Sequence, residues 1–322
     1  MIFAMSTITF SKQISAPKYF KANSIIKFIN DCAPIFKLVD KKEKEFLLDL
    51  SKITECSMVG VLLVYKIVEF SILQNCFDRP GYLMTKPFND ALEKYGFSEL
   101  FISYLAQRET TEKQFINLKI SVSDNFIIAP QALLRNDKFS SAILNTNYLP
   151  KIQKYYSFNE KITSMIFMCF SEILLNFWEH AVDDTQSIIV ANGNKHNIEI
   201  ACADNGKGVL TTLKSAGKKR KDDITTLMSA VEKGVTSKSM SNHMGYGLWI
   251  IDEVARLTNG RFHLYSEGTY YQREFGKVRS GKCGYWQGTV VYLSLPLKNP
   301  ITLSDFESSE KKDNNNIQIN WL

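Results

Sequence analysis

The chain has 322 residues, 45% apolar content and a net charge of +6. This much apolar material excludes a disordered or collagen-like chain and supplies one large core or two ordinary ones, two being the better prior at this length. A positive balance this mild, spread along the chain, gives no electrostatic case for nucleic acid.

Six cysteines, at 32, 56, 76, 169, 202 and 283, form no C-x-x-C pair and lie mostly in apolar contexts, which points to reduced structural thiols rather than disulfides or a zinc site. The N-terminus M-I-F-A-M-S-T-I-T-F lacks a basic region and a cleavage site. The apolar run from Met58 to Leu73 is interrupted by Lys66 and Glu69 and falls short of the about 20 residues a membrane span needs. A soluble, cytoplasmic protein with no membrane partner is the expectation.

In chain order, 6–10 read as a short strand and Pro17 to Asn30 as an amphipathic helix with Phe20, Ile25, Ile26 and Ile29 on one side. E-F-L-L-D-L-S at 45–51 reads as a buried strand, followed by a long helix from Ser57 to Asn75 whose small-sided start suits close approach to a sheet. Asp78-Arg79-Pro80-Gly81 is a turn signal, G-Y-L-M-T a strand, and Asn89 to Tyr95 a helix. The polar 107–113 marks a domain boundary, and F-I-N-L-K-I-S-V-S and F-I-I-A-P-Q-A-L are strands leading into a second domain. A helix over Asn145 to Tyr156 is broken by Pro150, and Asn159 is placed to cap the next, long helix. S-I-I-V-A and I-E-I-A-C-A-D form a hairpin through N-G-N-K-H-N, Asn-Gly being its signal. The polar tail after Pro300 should be disordered.

The long helix carries Glu172, Asn176 and His180 at intervals of four, so at roughly 100° per residue they share one stripe. A polar stripe on an otherwise apolar helix persists only where something satisfies it, and a ligand is the obvious candidate. Asp204 ends a strand and is followed by Asn205, Gly206, Lys207 and Gly208; a carboxylate is a pure acceptor, suited to the amino group of adenine and repelled by the carbonyl of guanine. Gly245 and Gly247 precede the amphipathic helix L-W-I-I-D-E-V-A-R-L, where free amides would cradle phosphate. Trp249, Trp286 and the Tyr270-Tyr271 pair read as packing residues, and the remaining histidines show no metal-ligand spacing.

E-x3-N-x3-H, D-x-G-x-G, G-x-G-L before a helix and G-T-V-V-Y-L-S-L-P-L at 288–297 together resemble the GHKL nucleotide-binding family, in family order over 160–297. That resemblance implies a two-layer α/β sandwich of helices on a mixed sheet, with ATP and Mg²⁺ under a mobile lid. It assigns Mg²⁺ to Asn176, the adenine amino group to Asp204 assisted by Thr289, and the adenine-side turn to Gly206 and Gly208. It assigns the phosphates to Gly245 and Gly247, a reach to the γ-phosphate to Lys238, and general-base work to Glu172, with His180 among the nucleotide-binding residues. Phe177 and Trp178 depart from the family, which has a small residue after the Asn. Most of the lid's basic residues at 218–221 read as solvated surface.

F-L-L-D-L-S followed by C-S-M-V-G-V-L-L-V-Y-K, with the later A-L-E-K-Y-G-F-S-E-L-F, resembles the STAS domains of anti-sigma factor antagonists. With Gly60 on the family glycine, Ser57 takes the acidic position and Met58 and Val59 stand where the serines belong, so the phosphorylated switch is missing. An unrelated α/β domain of the same size fits the same residues. The organisation expected is a STAS-like α/β domain at 1–105, a connector at 106–150, a GHKL domain at 151–300 and a tail at 301–322. The resemblances imply a regulatory ATPase or a serine/threonine protein kinase acting by partner switching, the alternative being a nucleotide-gated binding module without turnover. A protein partner would use the N-terminal domain or the lid, and homodimerisation stays open. No histidine precedes His180, so a histidine autokinase is not expected.

Overall fold

The computed structural model describes residues 12–38, 43–74, 76–105, 126–132, 144–180, 187–236, 247–302 and 305–306. The strand expected at 6–10, the boundary at 107–113 and the strand at 115–123 lie outside them.

The N-terminal half comprises β1 (Lys12–Ser15), β2 (Tyr19–Phe20), α1 (Ile25–Cys32), β3 (Glu43–Asp49), β4 (Glu55–Cys56), α2 (Met58–Leu73), β5 (Phe77–Leu83), α3 (Lys86–Lys94) and α4 (Ser98–Leu105). β1, β3 and β5 form a parallel sheet in that order, and β2 pairs with β4. The helix expected from Pro17 starts only at Ile25, because Tyr19 and Phe20 are extended against β4 and the Phe20 carbonyl accepts the Ser57 amide at 2.8 Å. The turn expected at 78–81 is absent: β5 runs through it, and Pro80 is tolerated because β5 is an edge strand that has one side unpaired. α3 begins three residues early, with Pro87 in its first turn, where a missing amide costs nothing.

The C-terminal half comprises β6 (Phe126–Ala132), α5 (Leu149–Tyr155), α6 (Glu160–His180), β7 (Ile188–Gly193), β8 (Asn197–Ala203), α7 (Val209–Ser215), α8 (Asp223–Ser229), α9 (Gly247–Leu257), β9 (Arg261–Ser266), β10 (Thr269–Glu274), β11 (Lys277–Lys282) and β12 (Thr289–Pro296). The helical stretch is interrupted near Pro150 as expected, a π-helical turn over Leu144–Tyr148 giving way to α5 with Pro150 in its first turn, and the Asn159 side chain accepts the Ile162 amide at 3.1 Å as the cap of α6. The β7–β8 hairpin turns one step later than Asn-Gly suggests. Asn192 and Gly193 stay in the strand, and Asn194 closes the turn by accepting the amides of His196 (2.8 Å) and Asn197 (3.1 Å).

These strands form a seven-stranded sheet in the order β11-β10-β9-β12-β8-β7-β6. A mixed sheet is the expectation for this half; among the described residues every pairing in it is antiparallel. The reason is local: β7–β8 and β9–β10–β11 are joined by short turns, which impose antiparallel neighbours, and β12 returns between β8 and β9.

Side chains alternate between the two faces. Cys202, Leu264, Val291 and Leu293 face Ile173 and Leu174 of α6 and Val254 of α9. Ala201, Ala203, Tyr265, Val290 and Tyr292 face the other way, into the core of the N-terminal half. There they meet α2, 14 of whose 16 residues are buried, so this helix is apolar all round because it is covered all round. The two-layer sandwich therefore gains a further layer, and the two halves share one core. The polar interruptions of α2 pair with each other: Lys66 and Glu69 form a fully buried ion pair, and Tyr65 donates to Glu69 at 3.2 Å.

The expected disordered tail does not begin at Pro300, because Ile301 and Phe306 are buried, Phe306 against the Trp249 ring at 5.9 Å. Among the described residues no helix is long and apolar enough to cross a membrane.

Candidate functional site

Two polar clusters form on the helix-covered side of the large sheet. The first joins α6 to α9. Gly247 is the first residue of α9, and a Cβ there would lie 2.7 Å from Glu172 Oε2 and 3.2 Å from Asn176 Nδ2. A side chain there would have to push the Glu172 carboxylate aside; with glycine, a stripe on one helix and the opening turn of another meet with nothing between them. Asn176 Nδ2 is buried with no hydrogen-bond partner among the described residues. Such a group costs about 1–3 kcal/mol until something pairs with it. Glu172 also makes itself felt on its own helix: burial first, and the charge of Glu172 second, push the Cys169 thiol up. His180 is the last residue of α6, but its side chain, like Lys238 and Gly245, lies outside the described ones.

The second cluster is centred on Asp204, which is 1% exposed. Its Oδ1 accepts the Gly206 amide at 2.8 Å and its Oδ2 the Thr289 amide at 3.1 Å. Its own amide donates to the Thr289 carbonyl at 3.0 Å, and its carbonyl accepts Trp286 Nε1 at 3.1 Å. The alternation that turns Cys202 and Val291 towards the helices carries on to Asp204 and Thr289. Gly288, at φ 87°, is the residue that makes this packing feasible: a Cβ there would lie 2.3 Å from Asp204 Oδ1. At Gly208 a Cβ would meet Ser266 Oγ and Glu267 Oε2, each at 2.4 Å, below the start of α7.

Thus Glu172, Asn176 and Gly247 are brought together, and so are Asp204, Gly206 and Thr289. Sequence reasoning missed Asn205, Gln287 and Gly288 as parts of the second cluster and read Trp286 as packing alone. The signal available was W-Q-G-T, which leads into β12.

The segment 214–223 is folded around α7 and α8. Lys214 pairs with Asp223 at 2.7 Å, Asp222 caps α8 through the Thr225 amide at 2.7 Å, and Arg220 pairs with Glu232 at 3.1 Å. Lys218, Lys219 and Lys221 are exposed, as a solvated surface requires.

Among the described residues no three His, Cys, Asp or Glu side chains gather as a metal cage. Magnesium needs none, because it keeps waters and binds through one or two protein oxygens plus substrate phosphates. The Asn176 amide offers its oxygen to such a cation, while its orphaned nitrogen, a donor beside the bare backbone of Gly247, suits a phosphate oxygen. The cysteines are free, and burial lifts Cys56 to about 12, well away from the thiolate form.

No family model matches the chain, and no curated protein matches it significantly. Fold and clusters define a mixed α/β protein, parallel in its small sheet and antiparallel in its large one.

Proposed function

We propose that the chain is a Mg-ATP-binding protein of the GHKL type with a STAS-like N-terminal half, acting as a regulatory ATPase or a serine/threonine protein kinase. The observation that carries this reading is the meeting of Gly247 with Glu172 and Asn176. It puts an acceptor carboxylate, an amide oxygen donor and an unobstructed helix start at one place, which is what a phosphate group and its cation need. Asn176 would hold Mg²⁺, which when bound screens the phosphate charge. Glu172 would take the proton from water or from a substrate hydroxyl, work that typically contributes about 10²–10⁴ in rate. Asp204, held by the Gly206 and Thr289 amides, would accept from the adenine amino group.

The second reading is a nucleotide-gated binding module without turnover. It draws support from Asn205, which neighbours Asp204 and donates to a carbonyl of α2 at 3.1 Å, so the N-terminal half touches the base-side cluster directly. Calorimetry with Mg-ATP and Mg-GTP, together with an assay of phosphate release with and without lysate, tests both readings. Equal affinity for the two nucleotides removes the adenine assignment, and ATP binding with no hydrolysis or phosphotransfer favours the module.

A further inference from the structure

The corner that holds Asp204 is assembled from both halves of the chain. One strut comes from α2. The Lys66 carbonyl accepts Asn205 Nδ2 at 3.1 Å, and Lys66 is itself fixed by its buried pairing with Glu69. The other strut is the connection from β11 to β12. Its Gly284 amide donates to Asn30 Oδ1 at the end of α1. A Cβ at Gly284 would lie 2.5 Å from both Asn30 Cα and the Ile29 carbonyl, so the connection is seated directly on the α1 backbone. Two residues on, Trp286 is fully buried, its ring 5.3 Å from that of Phe36, and its Nε1 donates to the Asp204 carbonyl. Gln287 then donates to the Asn205 carbonyl at 2.7 Å, and Thr289 delivers its amide to the Asp204 carboxylate.

We infer that the N-terminal half positions Asp204, and that a partner which displaces α1 or α2 weakens nucleotide binding at that carboxylate. The inference rests on the reading that Asp204 recognises the base. Its physical content is that Asn205, Trp286 and Gln287 are positioning residues: they hold the backbone at 204 and 205 from three directions and touch no substrate themselves. Loss of any one removes a hydrogen bond that ties residues 204 and 205 to their surroundings, and the carboxylate is freed to move. The coupling is reciprocal by thermodynamic necessity, so nucleotide at Asp204 tightens the seat of the N-terminal half by the same factor. A STAS-like half fused to a nucleotide domain is then more than a tethered recruitment module, because the nucleotide state is read through the shared core.

The test uses the full chain in four forms: unmodified, Gly284→Ala, which wedges the connection off α1, Asn205→Ala, which removes the α2 strut, and Leu92→Ala. Leu92 is a 4% exposed core residue of α3 that makes none of the hydrogen bonds of either strut, so its truncation costs stability while leaving those bonds in place. Hydrogen exchange of segments 200–209 and 285–292 is followed without nucleotide, and ATP and GTP affinities are measured by calorimetry. Gly284→Ala and Asn205→Ala should speed exchange in both segments by about tenfold or more, weaken ATP by about tenfold and lower the ATP-to-GTP ratio. Leu92→Ala should leave the ratio unchanged. Unchanged exchange in both strut variants, or the same acceleration in Leu92→Ala, overturns the inference. An unmodified protein that binds neither nucleotide overturns the ATP reading instead, and the exchange comparison still decides whether the N-terminal half holds Asp204.

Discussion

Asp204→Asn is the most informative single substitution. The carboxylate accepts one backbone amide on each oxygen, Gly206 at 2.8 Å and Thr289 at 3.1 Å, in a position 1% exposed. An asparagine has one oxygen and one NH₂ group, so whichever way it rotates, one backbone amide faces a donor. A buried donor left unpaired costs about 1–3 kcal/mol, more where the lost partner was charged. At about 2–4 °C per kcal/mol for chains of 150–250 residues, and somewhat less for this longer one, the melting temperature should drop by a few degrees. ATP affinity should fall in parallel and the preference over GTP should largely vanish, since the amide can offer the base either a donor or an acceptor. Differential scanning calorimetry gives the first quantity and titration calorimetry the others. A variant with the unmodified melting temperature would show that the two amides do not lock the carboxylate, and the geometry argued for the corner would be wrong.

Glu172→Ala should abolish hydrolysis or phosphotransfer, a loss of about 10²–10⁴, while ATP still binds; a coupled phosphate assay showing unchanged turnover would leave the base unassigned. Gly247→Ala places a methyl 2.7 Å from Glu172 Oε2, and Mg-ATP affinity measured by calorimetry should fall by about tenfold or more. Lys66→Ala leaves the buried Glu69 without its cation and should cost about 3–5 kcal/mol in chemical denaturation, whereas replacing both Lys66 and Glu69 by methionine should cost less, about 1–3 kcal/mol, because the Tyr65 hydroxyl then loses its Glu69 acceptor. His263 is held below its ordinary 6.5, chiefly by burial and against the opposing bond to Glu274, so the unfolded chain takes up its proton first as pH falls. Stability should therefore decline as pH drops below about 6.5, and further as Glu274 is protonated on the way to about 2, its carboxyl being held down by the His263 hydrogen bond first and by the nearby charges of His263, Arg279 and Arg261. A denaturation midpoint that stays flat from pH 7 to 5 would show that His263 is not kept neutral.

The sequence determined what is local. Strands with period-two apolar alternation, the Asn159 cap, the stripe through Glu172 and Asn176, and a glycine at a helix start are all written in short stretches, because they depend on neighbours within about one helical turn or one pleat. Where local signals failed, a distant partner had overruled them. Phe20 joined a strand with Cys56 instead of a helix, Pro80 was absorbed at a sheet edge, and the large sheet came out antiparallel because its hairpin turns decided the pairing. The meeting of Gly247 with Glu172, the clamping of Asp204 between Gly206 and Thr289, and the seating of Trp286 between the two halves belong to the tertiary structure alone. The small-sided start of α2 suggested close approach to a sheet, but its apolarity did not say which one. Only the packing of β7 and β8 on it, with α3 and α4 covering it elsewhere, decided that this helix is the shared core of the molecule, because an all-round apolar helix records that it must be covered and carries no record of by what.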